Sequence, residues 1–314
     1  MIWYAVQRIG LALVICTLAM TILFSVVYVI PGDPASIALG PRATPEMKAE
    51  LRTRMGLDQP LTVRLGHFFA GVLTGDLGAD VMNNRSVAVQ VLEALPFTLA
   101  LAGAGLGWAA LIGIPLGCLS ALRRNSLADK LTGVISVGTI SIPSFIVAIY
   151  SLLLFAVALR WLPAIGAGEP GDLGDQLRHL VLPALAIGLG WVGYLARLVR
   201  ASMLEVMAEN HVRTARAFGL PQRVVILRYV LRIAILPTVT MLALAIGGLL
   251  SNAVFAEYVF NRPGIGLLIV HAAETRNYPV VMGSVMVSVG LFALCTMLAD
   301  LLIAALDPRV RATL

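Results

Sequence analysis

Charge is scarce in this sequence. Only 13% of its 314 residues are Asp, Glu, Lys or Arg, about half the share of an ordinary soluble domain. With 59% hydrophobic residues and a mean hydropathy of +0.90, there is too little polar surface to cover a water-soluble body of this size. Soluble enzymes and disordered chains are excluded, and a membrane protein is indicated. Cysteine is scarce too. Cys16, Cys118 and Cys295 lie far apart in apolar runs, which excludes a disulfide framework or a zinc spacing and leaves them as small hydrophobes. Lysine is scarcer still. Lys48 and Lys130 are followed by Ala49 and Leu131, so there is no Gly-Lys-Ser/Thr phosphate loop. Gly-x-Ser-x-Gly and His-Glu-x-x-His patterns are missing. His67, His179, His211 and His271 are widely separated, so surface or interface roles are expected of them rather than metal ligation. No catalytic residue, cofactor or metal is expected in this chain.

What the sequence has is long apolar runs. A membrane-spanning helix needs roughly 20 apolar residues. Six stretches free of Asp, Glu, Lys and Arg meet that need: 9–30, 94–122, 131–159, 179–196, 233–256 and 277–299. Six transmembrane helices are therefore predicted. The first run is too long for a signal-peptide core, and Pro31-Gly32-Asp33-Pro34 follows it instead of a small-x-small cleavage site. Basic residues set the orientation. The N-terminus, 123–130, 197–232 and the C-terminus hold thirteen of them, against four in 160–178 and 257–276. Both termini are predicted to be cytoplasmic. No aromatic residues interleave with the basic cluster at 197–232, so a nucleic-acid surface is not indicated.

The external segment 31–93 carries helix signals. Thr44-Pro45-Glu46 reads as N-cap, first-turn proline and first-turn acid, and Gly56 stops that helix. Pro60 opens another, with Leu61, Leu65, Phe68, Phe69, Val72 and Leu73 on one face, and Gly75-Asp76-Leu77-Gly78 ends it. A small helical cap is expected. Within the spans, Gly103/Gly107 and Gly113/Gly117 are small-xxx-small pairs that let helices approach closely. Pro115, Pro143, Pro183 and Pro237 mark either pathway-lining breaks or plain packing kinks. Asp300, near the end of the last run, reads first as a structural partner of an arginine, and second as a functional acid. Glu257 ends the fifth run on the outer side. It either attracts a cationic peptide terminus or Ni2+, or is solvated at the interface.

Segment 197–232 is the most informative. A helical pattern runs to Phe218, Gly219 suits a left-handed cap, and Pro221 restarts a helix. The result is a rigid knob at the membrane surface, of the kind a membrane subunit needs to receive force from a soluble partner.

Here a family resemblance emerges. Thr214-Ala215-Arg216-Ala217-Phe218-Gly219-Leu220, followed by Ile235-Leu236-Pro237, resembles the coupling loop of ABC-importer permeases. Arg213 and Thr214 stand where Glu and Ala are usual, and Gly219 lies 18 positions before Pro237. Both departures resemble the dipeptide/oligopeptide/nickel branch. So do Pro31-Gly32-Asp33-Pro34-Ala35, Gly56-Leu57-Asp58-Gln59-Pro60-Leu61, Ser141-Ile142-Pro143-Ser144-Phe145, Trp161-Leu162-Pro163-Ala164, Arg262-Pro263-Gly264-Ile265-Gly266 and Asp307-Pro308-Arg309-Val310-Arg311. The external segment after the first span points to the B-type inner-membrane subunit.

The resemblance implies an all-α, type I importer permease. Its parts would be a first helix with external segment (1–93), a five-helix core (94–306) with the coupling loop at 200–232, and a cytoplasmic tail (307–314). It implies ATPase contact by Asn210, His211, Arg213, Thr214, Ala215, Arg216, Ala217, Gly219, Leu220 and Pro221. Ser141, Ser144, Asn252 and Glu257 are candidate pathway or gate residues. The implied partners are a related second permease, two ATP-binding subunits that carry ATP and Mg, an extracytoplasmic substrate-binding protein, and membrane lipid. The implied cargo is di- or oligopeptide, with nickel, glutathione, an opine or a sugar as alternatives. A secondary transporter is the more distant alternative, but its usual midplane carboxylates and internal repeat are missing from the six runs.

Overall fold

A computed structural model describes residues 2–29, 36, 39–40, 43–54 and 58–306. The expected turn at Pro31–Ala35, the stop at Gly56 and the tail at 307–314 lie outside them. The described residues are helical almost throughout. The first membrane helix, α1 (Ile2–Val29), is followed by two short helices, α2 (Pro45–Arg54) and α3 (Leu61–Thr74). The long α4 (Val87–Leu122) leads through a tight turn to α5 (Leu127–Ser141) and α6 (Ser144–Ser151). A π-helical stretch, Leu152–Ala158, prolongs α6. Next come α7 (Leu173–Met207) and α8 (Asn210–Ala217). Two short pieces, α9 (Gln222–Val224) and α10 (Leu231–Ala234), flank a π-helical Val225–Val230. The chain ends in α11 (Leu236–Val259), α12 (Ile265–Glu274) and α13 (Tyr278–Leu306).

Five helices, namely α1, α4, α7, α11 and α13, are long and apolar enough to cross a membrane, and α5–α6 supplies the sixth when taken as one broken span. That pair is bent by 98°. The bend follows from Pro143, which lacks an N–H and pushes the preceding residue out of the helical region; Ile142 is extended, at φ −88° and ψ 121°. Among the prolines singled out from sequence, it is Pro143 that separates two helices. Pro115 and Pro183 lie inside continuous helices, and Pro237 sits in the first turn of α11.

The centre of the bundle is the contact of α4 with α7. It runs along Gly105, Ala109, Gly113 and Gly117, one small residue every four positions. A Cβ at Gly113 would lie 2.8 Å from the Val192 carbonyl oxygen, and one at Gly117 would lie 2.6 Å from that of Ala196. Small residues are therefore what lets these backbones touch. Gly103 and Gly107 meet nothing within 4 Å, so that predicted pair is not part of the seam. Helix α5 lies against the other side of α7, where a Cβ at Gly193 would come within 2.6 Å of the Ser136 carbonyl oxygen.

The segment between α1 and α4 folds into the expected helical cap. Thr44 Oγ1 accepts from Met47 N–H at 3.3 Å at the start of α2. Gly75, at φ +80°, closes α3 in the left-handed region that glycine favours. Leu65, Phe68 and Phe69 of α3 pack on Met20, Phe24 and Met282 of α1 and α13. Leu73, predicted on that face, is exposed instead. Buried Asp80 fastens the segment to the core. It accepts from Asn277 Nδ2 at 2.6 Å and from the backbone N–H of Met82 at 2.8 Å. At the opposite end of the bundle, Arg8 pairs with Asp300 at 2.9 Å, joining α1 to α13. The structural reading of Asp300 is the one the fold supports.

Candidate coupling surface and pathway

The predicted helix through Phe218 is interrupted. Glu209 is extended, at φ −72° and ψ 155°, and α8 starts afresh at Asn210. Three-residue bonds, Ala208 N–H to Glu205 O and Glu209 N–H to Val206 O, tighten the end of α7. Val212 and Ala215, one turn apart on α8, are both buried. They join Ala121, Val199, Met203, Val206, Val225, Val230 and Ala234 in one apolar cluster. That cluster binds the knob to the ends of α4 and α7.

Asn210, Arg213, Thr214, Arg216, Ala217 and Pro221 are exposed, His211 and Leu220 half-buried, and Ala215 buried. The two arginines, three positions apart, share an exposed face of the knob. His211 holds the start of α8, with Nδ1 3.0 Å from a Glu209 carboxylate oxygen and Nε2 3.3 Å from the Tyr229 carbonyl oxygen. Thr214 Oγ1 donates to the Asn210 carbonyl at 3.0 Å. Gly219 lies at φ +73°. Its N–H donates to Arg216 O at 3.0 Å, and Leu220 N–H donates to Ala215 O at 3.4 Å, so the turn satisfies the last carbonyls of α8. Phe218 is left 81% exposed at the tip.

A second group of residues meets at the α5–α6 bend. Ser144 Oγ donates to Asn252 Oδ1 at 3.4 Å, and Asn252 Nδ2 donates to the Gly248 carbonyl at 3.1 Å. Trp191 and Tyr194 stand edge to face, 5.6 Å between centroids. Ser144, Asn252, Trp191 and Tyr194 line, with Pro143 and Gly190, a cavity of about 310 Å³. Ser141 is exposed on α5, its hydroxyl donating to the Val137 carbonyl at 2.8 Å, and it does not line that cavity.

The structure does not leave Glu257 solvated at an interface; it stands in the wall of a cavity of about 500 Å³. It is fully buried, 0% exposed. Thr98 Oγ1 donates to Oε1 at 2.6 Å, and the backbone N–H groups of Gly266 and Leu267 donate to Oε2 at 2.7 and 3.3 Å. Ile265 N–H donates to Thr98 Oγ1 at 2.9 Å. The carboxylate thus satisfies the open N–H groups that begin α12. Gly264 and Gly266 leave it room, since a Cβ at either would overlap it. Neighbouring Arg262 is buried over the Phe97 ring, 5.6 Å from guanidinium carbon to centroid. Burial lowers its pKa below the ordinary arginine range, with Glu257 opposing that shift.

Among the polar clusters that sequence reasoning missed is that of Ser120, Asp129 and Arg200. Asp129 belongs to a recognisable N-terminal turn after Ser126, but nothing local marks Arg200, 71 positions on, as its partner.

A bundle of membrane-length helices carrying a structured helical knob outside its spans has the build of a transporter's membrane subunit. Comparison with known proteins agrees. The family described as binding-protein-dependent transport system inner membrane component matches residues 113–312, and the model for its N-terminal part matches residues 1–102. The chain belongs to this family. A Brucella ovis protein named as a peptide permease is 39% identical over 323 residues, covering 100% of each chain. The glutathione transport system permease protein GsiC of Salmonella typhimurium is 36% identical over 312 residues, covering 99% of each. Among solved structures, an inward-facing form of the MetNI methionine ABC transporter matches with a TM-score of 0.57 and 18% identity, over 69% of this chain and 96% of that one. That likeness shows the ABC-importer permease fold.

Proposed function

We propose that this chain is the permease subunit of an ATP-driven importer of small peptides, forming half of the pathway beside a related second permease. The observation that carries the reading is the knob, a helix packed to the bundle by buried Val212 and Ala215 with Phe218, Arg213 and Arg216 turned outward. Two separate subunits bind ATP and Mg, and a substrate-binding protein delivers cargo from outside. Closure of the ATPases moves the knob, and the bundle passes the motion to the bend that holds Ser144 and Asn252. The chain supplies gating and a path and carries out no chemistry itself. The excess of arginine and lysine at the N-terminus, 123–130, 197–232 and the C-terminus supports a cytoplasmic location for both termini and the knob. Relatives named for peptide and glutathione transport support a peptide backbone as the recognised cargo.

The test is uptake in vesicles containing both permeases, both ATPases and the binding protein. ATP-dependent accumulation of di- or oligopeptide or of glutathione, lost when the ATPases are omitted, is expected. Accumulation of peptide against a gradient by this chain alone would overturn the reading. Uptake of nickel without peptide would retain the mechanism and reject the cargo.

A further inference from the structure

We propose that Asp129 and Arg200 form a rigid tie that makes α5 move with the knob, a positioning pair for the coupling of ATP hydrolysis to transport. The proposal rests on the coupling reading above. Asp129 gathers three elements. Arg200 of α7 donates to it twice, Nε to Oδ1 at 2.6 Å and Nη2 to Oδ2 at 2.9 Å. Ser120, near the end of α4, donates to Oδ1 at 2.6 Å, and Asn125 N–H donates to Oδ2 at 2.9 Å. The Asp129 side chain is 7% exposed and that of Arg200 34% exposed. A two-pronged, charge-assisted pair is the most directional link that side chains provide.

Its place gives it its role. Arg200 lies about two helical turns before the end of α7, where α8 begins. Val199, Met203 and Val206 of the same stretch belong to the apolar cluster that holds α8. Asp129 stands in the first turn of α5. From there α5 runs about 18 Å to Ser141 and the bend. Helix α5 touches α7 along the way at Gly193, but close packing alone lets helices slide. The ion pair removes that freedom at the end nearest the knob. A displacement of α7 is then carried along α5 to the cavity at Ser144 and Asn252.

The experiment compares wild type, Asp129→Asn and Arg200→Lys in the complete complex in vesicles. It measures ATP hydrolysis, peptide uptake and partner co-purification. The tie predicts unchanged co-purification and unchanged basal hydrolysis in Asp129→Asn, with uptake per ATP lowered at least tenfold. Arg200→Lys keeps the charge but loses the fork, and falls between that variant and wild type. Parallel loss of uptake and hydrolysis, or no change in either, would overturn the proposal. If Asp129→Asn fails to assemble, Arg200→Lys decides, since it keeps the charge and removes the two-pronged geometry. A lowered uptake per ATP in that variant supports the tie, and an unchanged ratio rejects it. Failure of the underlying coupling reading has a separate signature: wild-type hydrolysis that the loaded binding protein does not stimulate.

Discussion

Gly219 sits at φ +73° with nothing within 4 Å of where a Cβ would be. The cost of a side chain there is conformational rather than steric, about 1–2 kcal/mol for a β-branched residue in the left-handed region. Asparagine tolerates that region better. We predict that Gly219→Val reduces ATPase co-purification while Gly219→Asn retains most of it, with membrane insertion normal in both. Equal co-purification in all three proteins would mean that the turn does not set the docking surface. Glu257 makes a different kind of prediction. Its two oxygens accept from three donors, and Gln keeps only one acceptor oxygen. The unmet bonds should destabilise the chain by about 1–3 kcal/mol, read as a lower unfolding midpoint of the detergent-solubilised protein. A Glu257→Gln variant of wild-type stability but altered selectivity for cationic cargo would instead assign it a pathway role. Glu257 shows why a sequence misleads at this scale. An acid at the end of an apolar run looks free, because its partners are a hydroxyl 159 positions earlier and backbone N–H groups that no residue type marks.

Among the elements, the seam of α4 on α7 is the part most sensitive to volume. A Cβ at Gly117 would also come within 2.7 Å of the Val199 Cβ, so Gly117→Val must push the helices apart. Overpacking of this kind costs about 1–3 kcal/mol. Gly107→Val adds its bulk where no neighbour stands. We predict a clear fall in unfolding temperature for the isolated chain with Gly117→Val and little change with Gly107→Val; similar falls in both would mean that helix propensity rather than contact governs this span. The sequence pattern contained the seam but did not isolate it, because six small residues of α4 lie on two overlapping four-residue spacings. The helices themselves were legible wherever charge vanished or a capping residue stood: Thr44 before α2, Gly75 after α3, and the turn at Gly219, whereas the pattern did not single out Pro143 among four prolines as the one that breaks a span. The restart at Asn210 was not legible. Residues 197–218 contain neither proline nor glycine and so read as one continuous helix, while the interruption is a backbone turn at Glu209.

For the whole molecule, charge and hydropathy settle the class, the spans and their number. In the proposed coupling, the pairing of distant residues carries force across the bundle. The knob, the α4–α7 seam and the Asp129–Arg200 tie form a continuous path from an exposed tip to the cavity at the bend. Phe218 is the point on that path with the least to do inside the chain, being 81% exposed. Removing it should leave the fold intact and affect only what docks there. The most direct measurement is ATP-dependent peptide uptake by the complete complex carrying Phe218→Ala, beside the unfolding temperature of the isolated variant chain. The account predicts wild-type unfolding with uptake lowered at least tenfold. Wild-type uptake with Phe218→Ala would contradict the claim that this knob receives the power stroke.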